Sequence, residues 1–564
     1  MPSSPPNPQS SALRTQHPAL RTPHSALSPQ SSALSTQHSA LSTFRKVLLA
    51  VPPTGLYIRE DRCQTPIEHM ATVSLRPPID LMYAAAAFER GGAQCRLVDY
   101  PGEQWGEDRL RGDLLEFQPD LVLLSVTTPG FDADMRVAAL IKQTLPGTVV
   151  AAKGAHFNTL DRIALERYPG LDLALRGEFE LACRGLAEGK RWDQIAGIAF
   201  RSPIPNSQSQ ISNLQSPIRD PQSEPERPEG RTTYCPQSAI RDPQSAIEKP
   251  AIPDPQSLII RTPDGPFIED LDSIPFPARH LANNALYVRP DTGELQTTVV
   301  TNRGCPFNCC YCLANQVAGR RNRMRSPANI IAEIEECVSR HGIRSFLFRS
   351  DLFTARREWV LELCEEIRSS GLAVAWSCNS RVDTLDPEML AEMKRAGCWI
   401  IAFGIESGSE EILERIGKKT DLGAARNALA ITRRAGILSS VYFLVGLPWE
   451  TQETLRANER FAREINPDVL EVFYVYPFPG TPLYEEAVRL GLLKPGEIPS
   501  QAYDGPAMPA LALTRQELVA SRNHALKDFY LQPKVILRTL WRARSPRELA
   551  NYLRHGWRQI KEFL

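Results

Sequence analysis

Four cysteines crowd into eight residues, Cys305-Pro306-Phe307-Asn308-Cys309-Cys310-Tyr311-Cys312. Thiolates are soft ligands suited to zinc or iron–sulfur chemistry, and this crowding suits a metal better than a set of disulfides. A structural zinc needs a fourth ligand, and no histidine lies between His280 and His341 to supply it. Cys310 is flanked by candidate ligands on both sides, which leaves Cys305, Cys309 and Cys312 as the metal-binding residues. Three thiolates with one position unfilled point to an iron–sulfur cluster with one iron open to substrate, because reactive metals keep a vacant site.

Such a loop must be held by something regular. Between about 290 and 510, six apolar strand-like runs (297–301, 345–349, 373–378, 399–404, 440–445 and 470–475) alternate with helix-period segments. Six parallel strand–helix units close most of a barrel, with chemistry on the carboxyl-end loops. The cysteine run follows the first strand. The others are followed by Phe348-Arg349-Ser350-Asp351-Leu352-Phe353, Ser380-Arg381-Val382-Asp383, Gly404-Ile405-Glu406-Ser407-Gly408, Gly446-Leu447-Pro448-Trp449-Glu450-Thr451 and Tyr476-Pro477-Phe478-Pro479-Gly480-Thr481-Pro482. Arg381 also reads as a salt-bridging barrel residue, and Glu406 as an acid matched to a helix dipole. Their place at strand ends favours function for both.

A second alternating region, 45–200, has strand-like runs at 46–51, 95–99, 120–126, 149–152 and 171–175. Near-continuous apolar strands separated by helices predict a doubly wound parallel sheet covered on both faces, binding ligands at the carboxyl ends of its strands. The intervening and flanking segments are of another kind. Residues 1–44 repeat Ala-Leu every seven residues among Ser, Gln, Thr, His and Pro, and 201–260 contains the tandem heptad Pro236–Asp242 and Pro243–Ile247. This composition predicts disorder, since prolines and a thin apolar seam defeat a coiled coil. The expected division is therefore a repeat tail (1–44), the first sheet (45–200), a repeat insertion (201–260), the barrel with its lead-in (261–510) and a helical cap (511–564).

Acidic and basic residues balance at 65 each in 564 residues, so no global field argues for a nucleic-acid partner. No apolar run reaches the ~18 to 20 residues of a membrane span, and the start has no secretory-signal pattern. A reducing, cytoplasmic setting is expected. The charge is uneven only at the end, where 527–564 holds nine Lys/Arg against three Asp/Glu. That segment reads as a solvated helical cap or as a peripheral membrane or acidic-partner surface.

Cys-x3-Cys-x-aromatic-Cys after the first barrel strand resembles the radical S-adenosylmethionine superfamily, and the later segments agree with it across nearly all of 290–510. The first region resembles the cobalamin-binding, Rossmann-like domain that one branch carries. The matching pieces are Arg76-Pro77-Pro78-Ile79-Asp80-Leu81, Ser125-Val126-Thr127-Thr128-Pro129, Gly154-Ala155-His156 and Arg176-Gly177-Glu178. The resemblance implies that the three cysteines bind a 4Fe–4S cluster whose fourth iron chelates S-adenosylmethionine. One-electron reduction then releases a 5′-deoxyadenosyl radical for methylation, cyclisation or rearrangement of an unreactive substrate. It implies catalytic roles for Arg381 and Glu406, with Tyr311 near adenine and Gly404, Glu406, Ser407 and Pro448 around the cofactor. Ser125, Thr127, Gly154, His156, Gly177 and Glu178 are the implied cobalamin contacts.

Three departures qualify this. Ser350 replaces an acid usual after the second strand, Lys153 replaces a glycine before Gly154, and Asp-x-His-x-x-Gly is absent, which suggests cobalt without a protein imidazole. The implied partners are a small-molecule, lipid or natural-product substrate and an electron donor such as flavodoxin or ferredoxin. A radical enzyme whose first domain has lost cobalamin, and a non-catalytic redox or cobalamin sensor, are the alternatives.

Overall fold

The structure is a computed structural model that describes residues 43–60, 75–203, 257–499, 505–543 and 545–563. Most of the predicted repeat tail, and residues 204–256 of the insertion, lie outside the described residues.

The first apolar runs form the expected parallel strands: β1 (Lys46–Val51), β2 (Gln94–Asp99), β3 (Leu121–Ser125), β4 (Val149–Lys153) and β5 (Leu173–Leu175). They are linked by α1 (Ile79–Arg90), α2 (Glu107–Phe117), α3 (Phe131–Thr144) and α4 (Phe157–Arg167), and α5 (Glu180–Ala187) follows β5. Period-two alternation divides the side chains cleanly. Val47, Leu49, Leu121 and Leu123 pack on the face covered by α1 and α5. Leu48, Ala50, Val122 and Leu124 pack on the opposite face with residues of α2, α3 and α4. Burial of each Val or Leu among them stabilises the fold by roughly 1.5–3 kcal/mol.

Two further strands were not expected. β6 (Ile198–Pro203) and β7 (Ser257–Arg261) extend the sheet antiparallel, in the order β2-β1-β3-β4-β5-β6-β7. Pro203 is paired with Ser257, so the repeat insertion connects two neighbouring strands at the sheet's edge.

The second sheet has six parallel strands in sequence order: β8 (Gln296–Val300), β11 (Ser345–Arg349), β12 (Ala375–Ser380), β13 (Cys398–Glu406), β14 (Leu438–Val445) and β15 (Val469–Tyr474). A short ribbon, β9 (Asn302–Arg303) with β10 (Arg323–Met324), flanks the cysteine loop and its α6 (Ala314–Val317). The helices after the strands are α7 (Pro327–His341), α8 (Arg357–Ser369), α9 (Pro387–Arg395), α10 (Glu410–Arg415), α11 (Leu422–Arg434), α12 (Gln452–Ile465) and α13 (Pro482–Arg489). Several start sharply because a polar side chain caps the first turn: Ser326, Asp386, Asp421, Thr451 and Thr481 each accept a backbone N–H three residues on, worth about 1 kcal/mol apiece. This is the predicted partial (β/α)6 barrel, with β8 and β15 as open edges. The cap is helical as predicted: α14 (Arg515–Tyr530) packs on α12 and β15, followed by α15 (Pro533–Trp541) and α16 (Pro546–Phe563).

Buried ion pairs join the two sheets. Asp80 at the start of α1 binds Lys153 at the end of β4 (2.8 Å) and Arg349 at the end of β11 (2.9 Å). Glu178 receives both arms of Arg323, at 2.6 and 2.9 Å, and Arg303 pairs with Glu180. Among the described residues no helix is long and apolar enough to cross a membrane.

Candidate active site

The cysteine loop is stapled to the barrel at several points. Asp351, after β11, accepts the N–H of Gly304, and its own N–H donates to Asn302 Oδ1 at 3.0 Å. Gly304 has φ +91°, and a Cβ there would collide with the Arg321 carbonyl, so the turn into Cys305 requires glycine. The Cys310 N–H donates to the Ile416 carbonyl, and the Cys310 carbonyl accepts from Leu483 N–H, each at 3.0 Å.

This stapling sorts the four thiols. Cys310 is 3% exposed, in an apolar cluster with Ile412, Leu413 and Leu447. Cys305, Cys309 and Cys312 stay partly exposed. None of the ten described cysteines forms a disulfide. Among the described residues no three His, Cys, Asp or Glu side chains gather tightly enough to enclose a single metal ion. A 4Fe–4S cluster asks for a wider arrangement, since each thiolate meets a different iron. Burial pushes the Cys309 thiol up, while Lys418 and Arg381 nearby pull it back toward the thiolate. Three soft donors with two cations, Lys418 and Arg381, close to Cys309 fit such a cluster.

Glu406 ends β13 in a left-handed backbone conformation, φ +73°, which a non-glycine residue adopts only when its surroundings enforce it. Its carboxylate accepts from Lys418 Nζ at 2.8 Å, and both side chains are nearly buried. A Cβ on Gly404 would collide with that carboxylate and stand 3.1 Å from Lys418 Nζ, so Gly404 makes room for the pair. Burial, and then the Glu406 charge, push the Tyr311 phenol well above its usual range.

Arg381 lies under the same group. Its guanidinium sits 3.7 Å from the centre of the Phe307 ring, donates to the Lys418 and Lys419 carbonyls at 3.0 Å, and pairs with Asp383 at 2.6 Å. It therefore clamps the cysteine loop to the 418–419 turn. Ser407 is fully buried and bonds Asn458 Oδ1 at 3.0 Å. The Pro448 carbonyl accepts from Leu511 N–H at 2.8 Å. Beside it Glu450, also fully buried, accepts the N–H groups of Gly446 and Leu447 at 2.6 and 2.9 Å. Burial raises its pKa to about 8 despite those donors.

Across the junction the first sheet presents a different surface. Gly154 has φ +151°, and a Cβ on it would collide with the Val126 carbonyl, so two strand-end loops touch through backbone alone. The Ser125 carbonyl accepts from Arg59 at 2.8 Å, and the Thr127 N–H donates to Asp134 at 3.0 Å, around the buried Arg59–Asp134 pair. His156 is 4% exposed and stacks on Phe131 at 3.7 Å. Its Nδ1 has no hydrogen-bond partner, and burial lowers its pKa to about 3. Lys153, which stands in place of a glycine before Gly154, is 2% exposed and committed to Asp80. Gly177 and Glu178 line a cavity of about 50 Å³ with Asp80, Arg303, Arg349 and Asp351.

The sequence-predicted residues thus fall into two groups. Cys305, Cys309, Cys312, Tyr311, Gly404, Glu406 and Arg381 gather at the barrel mouth, with Ser407 and Pro448 in its supporting loops. Gly177 and Glu178 border the cavity, while Ser125, Thr127, Gly154 and His156 lie outside its lining. Sequence reasoning missed Lys418, which no motif marked, and Glu450, which lay unremarked inside a quoted run.

Comparison with known proteins agrees with this division. The sequence profile of the radical SAM superfamily matches residues 299–462, and that of the B12 binding domain matches 73–187. An uncharacterized methyltransferase of Pyrococcus horikoshii is 26% identical over 500 residues, covering 88% of this chain and 95% of its own. An anaerobic magnesium-protoporphyrin IX monomethyl ester cyclase of Cereibacter sphaeroides is 26% identical over 471 residues, covering 83% and 69%. The cobalamin-dependent S-adenosylmethionine radical enzyme OxsB, solved with aqua-cobalamin and S-adenosylmethionine, has the same fold at 15% identity and TM-score 0.61, covering 93% of this chain and 72% of that one. The chain accordingly carries a B12 binding domain, over residues 73–187, followed by a radical SAM superfamily domain, over residues 299–462.

Proposed function

We propose that this enzyme transfers a methyl group to an unreactive carbon of a small-molecule substrate. The observation that carries the reading is the Lys418–Glu406 pair beside Tyr311 and the three thiols, at a mouth joined to the first sheet through Asp80. When bound, the cluster and S-adenosylmethionine supply a 5′-deoxyadenosyl radical, and cobalamin supplies a transferable methyl group. Cys305, Cys309 and Cys312 hold the cluster. Glu406 and Lys418 offer one acceptor and one donor of opposite charge for the amino and carboxylate ends of an amino acid. Gly404 keeps that edge of the mouth clear, and Glu450 shapes the loop of Pro448. Arg381 acts as a positioning residue through Phe307 and the 418–419 turn.

On the opposite side, the Gly154 and Gly177 loops offer backbone surface to a corrin. His156 is stacked on Phe131 and would not be among the residues that hold the corrin. A flavodoxin- or ferredoxin-like protein supplies the electron. Ring closure is the second reading, favoured by the likeness to the Cereibacter sphaeroides cyclase.

Anaerobic reconstitution with iron, sulfide and hydroxocobalamin, then incubation with S-adenosylmethionine and dithionite, tests this. About four irons and one corrin per chain, with 5′-deoxyadenosine and S-adenosylhomocysteine formed, is the expected result. Iron without corrin would leave a radical enzyme with a retired first domain. An intact cluster that never cleaves S-adenosylmethionine would leave a sensor.

A further inference from the structure

Neither the barrel nor its chemistry uses the outer surface of α15 and α16. Among the described residues twelve large hydrophobic side chains are exposed, and six of them fall within 531–553: Leu531, Ile536, Leu537, Trp541, Leu549 and Leu553. Trp541 is 91% exposed, Leu537 66% and Leu553 55%. Leu537 and Trp541 are four residues apart on α15, as are Leu549 and Leu553 on α16, so each helix carries an apolar stripe on one face. Other contacts of the helices are fixed. Val535 is buried, Arg538 donates to the Pro467 carbonyl, and Arg542 pairs with Asp468 before β15. Asn551 donates to the Asp291 carbonyl before β8 at 2.8 Å. Both helices are therefore tied at the amino ends of the barrel strands, away from the active-site mouth, with their stripes in water. Clustered exposed apolar area of this kind marks an interaction surface.

The charge around it selects the partner. Residues 531–554 hold six Lys/Arg and one Asp/Glu, and Lys534, Arg547 and Arg554 are exposed. A two-fold contact with a second copy would bring these cations against their own equivalents. The N-terminal residues 1–44 contain two arginines and no acid, so they offer no complement either.

We propose that α15 and α16 dock the enzyme onto an anionic lipid bilayer. Trp541, Leu537 and Leu553 enter the headgroup boundary, and Lys534, Arg547 and Arg554 meet lipid phosphates. The contact is peripheral, and it does not depend on which reaction the active site performs.

Sedimentation of the full-length protein with vesicles tests the proposal. Binding to mixed phosphatidylglycerol–phosphatidylcholine vesicles is expected, with little to pure phosphatidylcholine, weakening with salt as surface electrostatics are screened. Trp541→Ser with Leu537→Ser should weaken binding roughly tenfold or more, and Lys534→Glu with Arg554→Glu should abolish the lipid-charge preference. Iron loading and S-adenosylmethionine cleavage should stay unchanged in both. Three results would overturn the proposal: no binding to anionic vesicles, binding indifferent to these substitutions, or a concentration-dependent dimer that the Trp541 and Leu537 changes dissolve.

Discussion

At the carboxyl ends of the first sheet the charged groups neutralise one another or the neighbouring domain, whereas in the barrel they surround a set of thiols. Lys153 is bound by Asp80, Arg59 by Asp134 and Glu178 by Arg323, so what the first sheet leaves at Gly154 and Gly177 is mainly backbone. In the barrel, Lys418, Glu406, Arg381 and Tyr311 converge near Cys309. One region offers a ligand mainly shape, the other directed charge and soft donors. The same architecture serves both, which is why strand-end position alone could not tell a ligand-binding side chain from a structural one.

The sharpest test of the barrel side compares adjacent cysteines. Cys309→Ala should reduce iron loading to background and abolish S-adenosylmethionine cleavage, while Cys310→Ala, which truncates a core thiol, should retain both; equal loss in the two variants would erase the distinction between ligand and packing residue.

On the first-sheet side the effect should appear in stability. Asp80 is buried, which raises its pKa, but Arg349 and Lys153 overcome burial and hold it well below the usual carboxylate range. Asp80→Asn leaves buried Lys153 and half-buried Arg349 without their shared anion and should cost about 3–5 kcal/mol in denaturant unfolding. An unchanged midpoint would mean that the sheets are not joined there.

The smallest effect concerns Glu450. Its folded pKa of about 8, raised from 4.5 by burial, means the native state keeps a proton that the unfolded chain loses. Its contribution is complete below about pH 4.5 and declines as pH rises through 8. Glu450→Gln keeps an acceptor for Gly446 and Leu447, so its melting temperature relative to wild type should climb by a few degrees between pH 5 and pH 8. A constant offset would show that Glu450 titrates normally.

The strands were readable because parallel strands buried on both faces are unbroken apolar runs, as in 47–50 and 121–124. The cysteine run stood out because its spacing is local. β6 and β7 were not readable, since both border the repeats and β7 pairs with a strand on the far side of the insertion. The work of Asp351 was hidden for a similar reason: its partner Gly304 lies 47 residues earlier. The pairing of Lys153 was hidden because its anion is 73 residues away on α1, and Lys418 was missed because it stands in a turn after α10 that carries no recognisable run.

The pairing of Pro203 with Ser257 has a consequence for how such a chain changes over generations. Whatever is added to or removed from the 53 residues between them, the ladder on either side keeps its register, and the closure entropy of a hairpin connection grows by only about 0.6 kcal/mol per doubling of length. The heptad repeats therefore sit where expansion or contraction by slippage leaves the catalytic geometry untouched, and the same position would accept an engineered tag or a fused carrier domain.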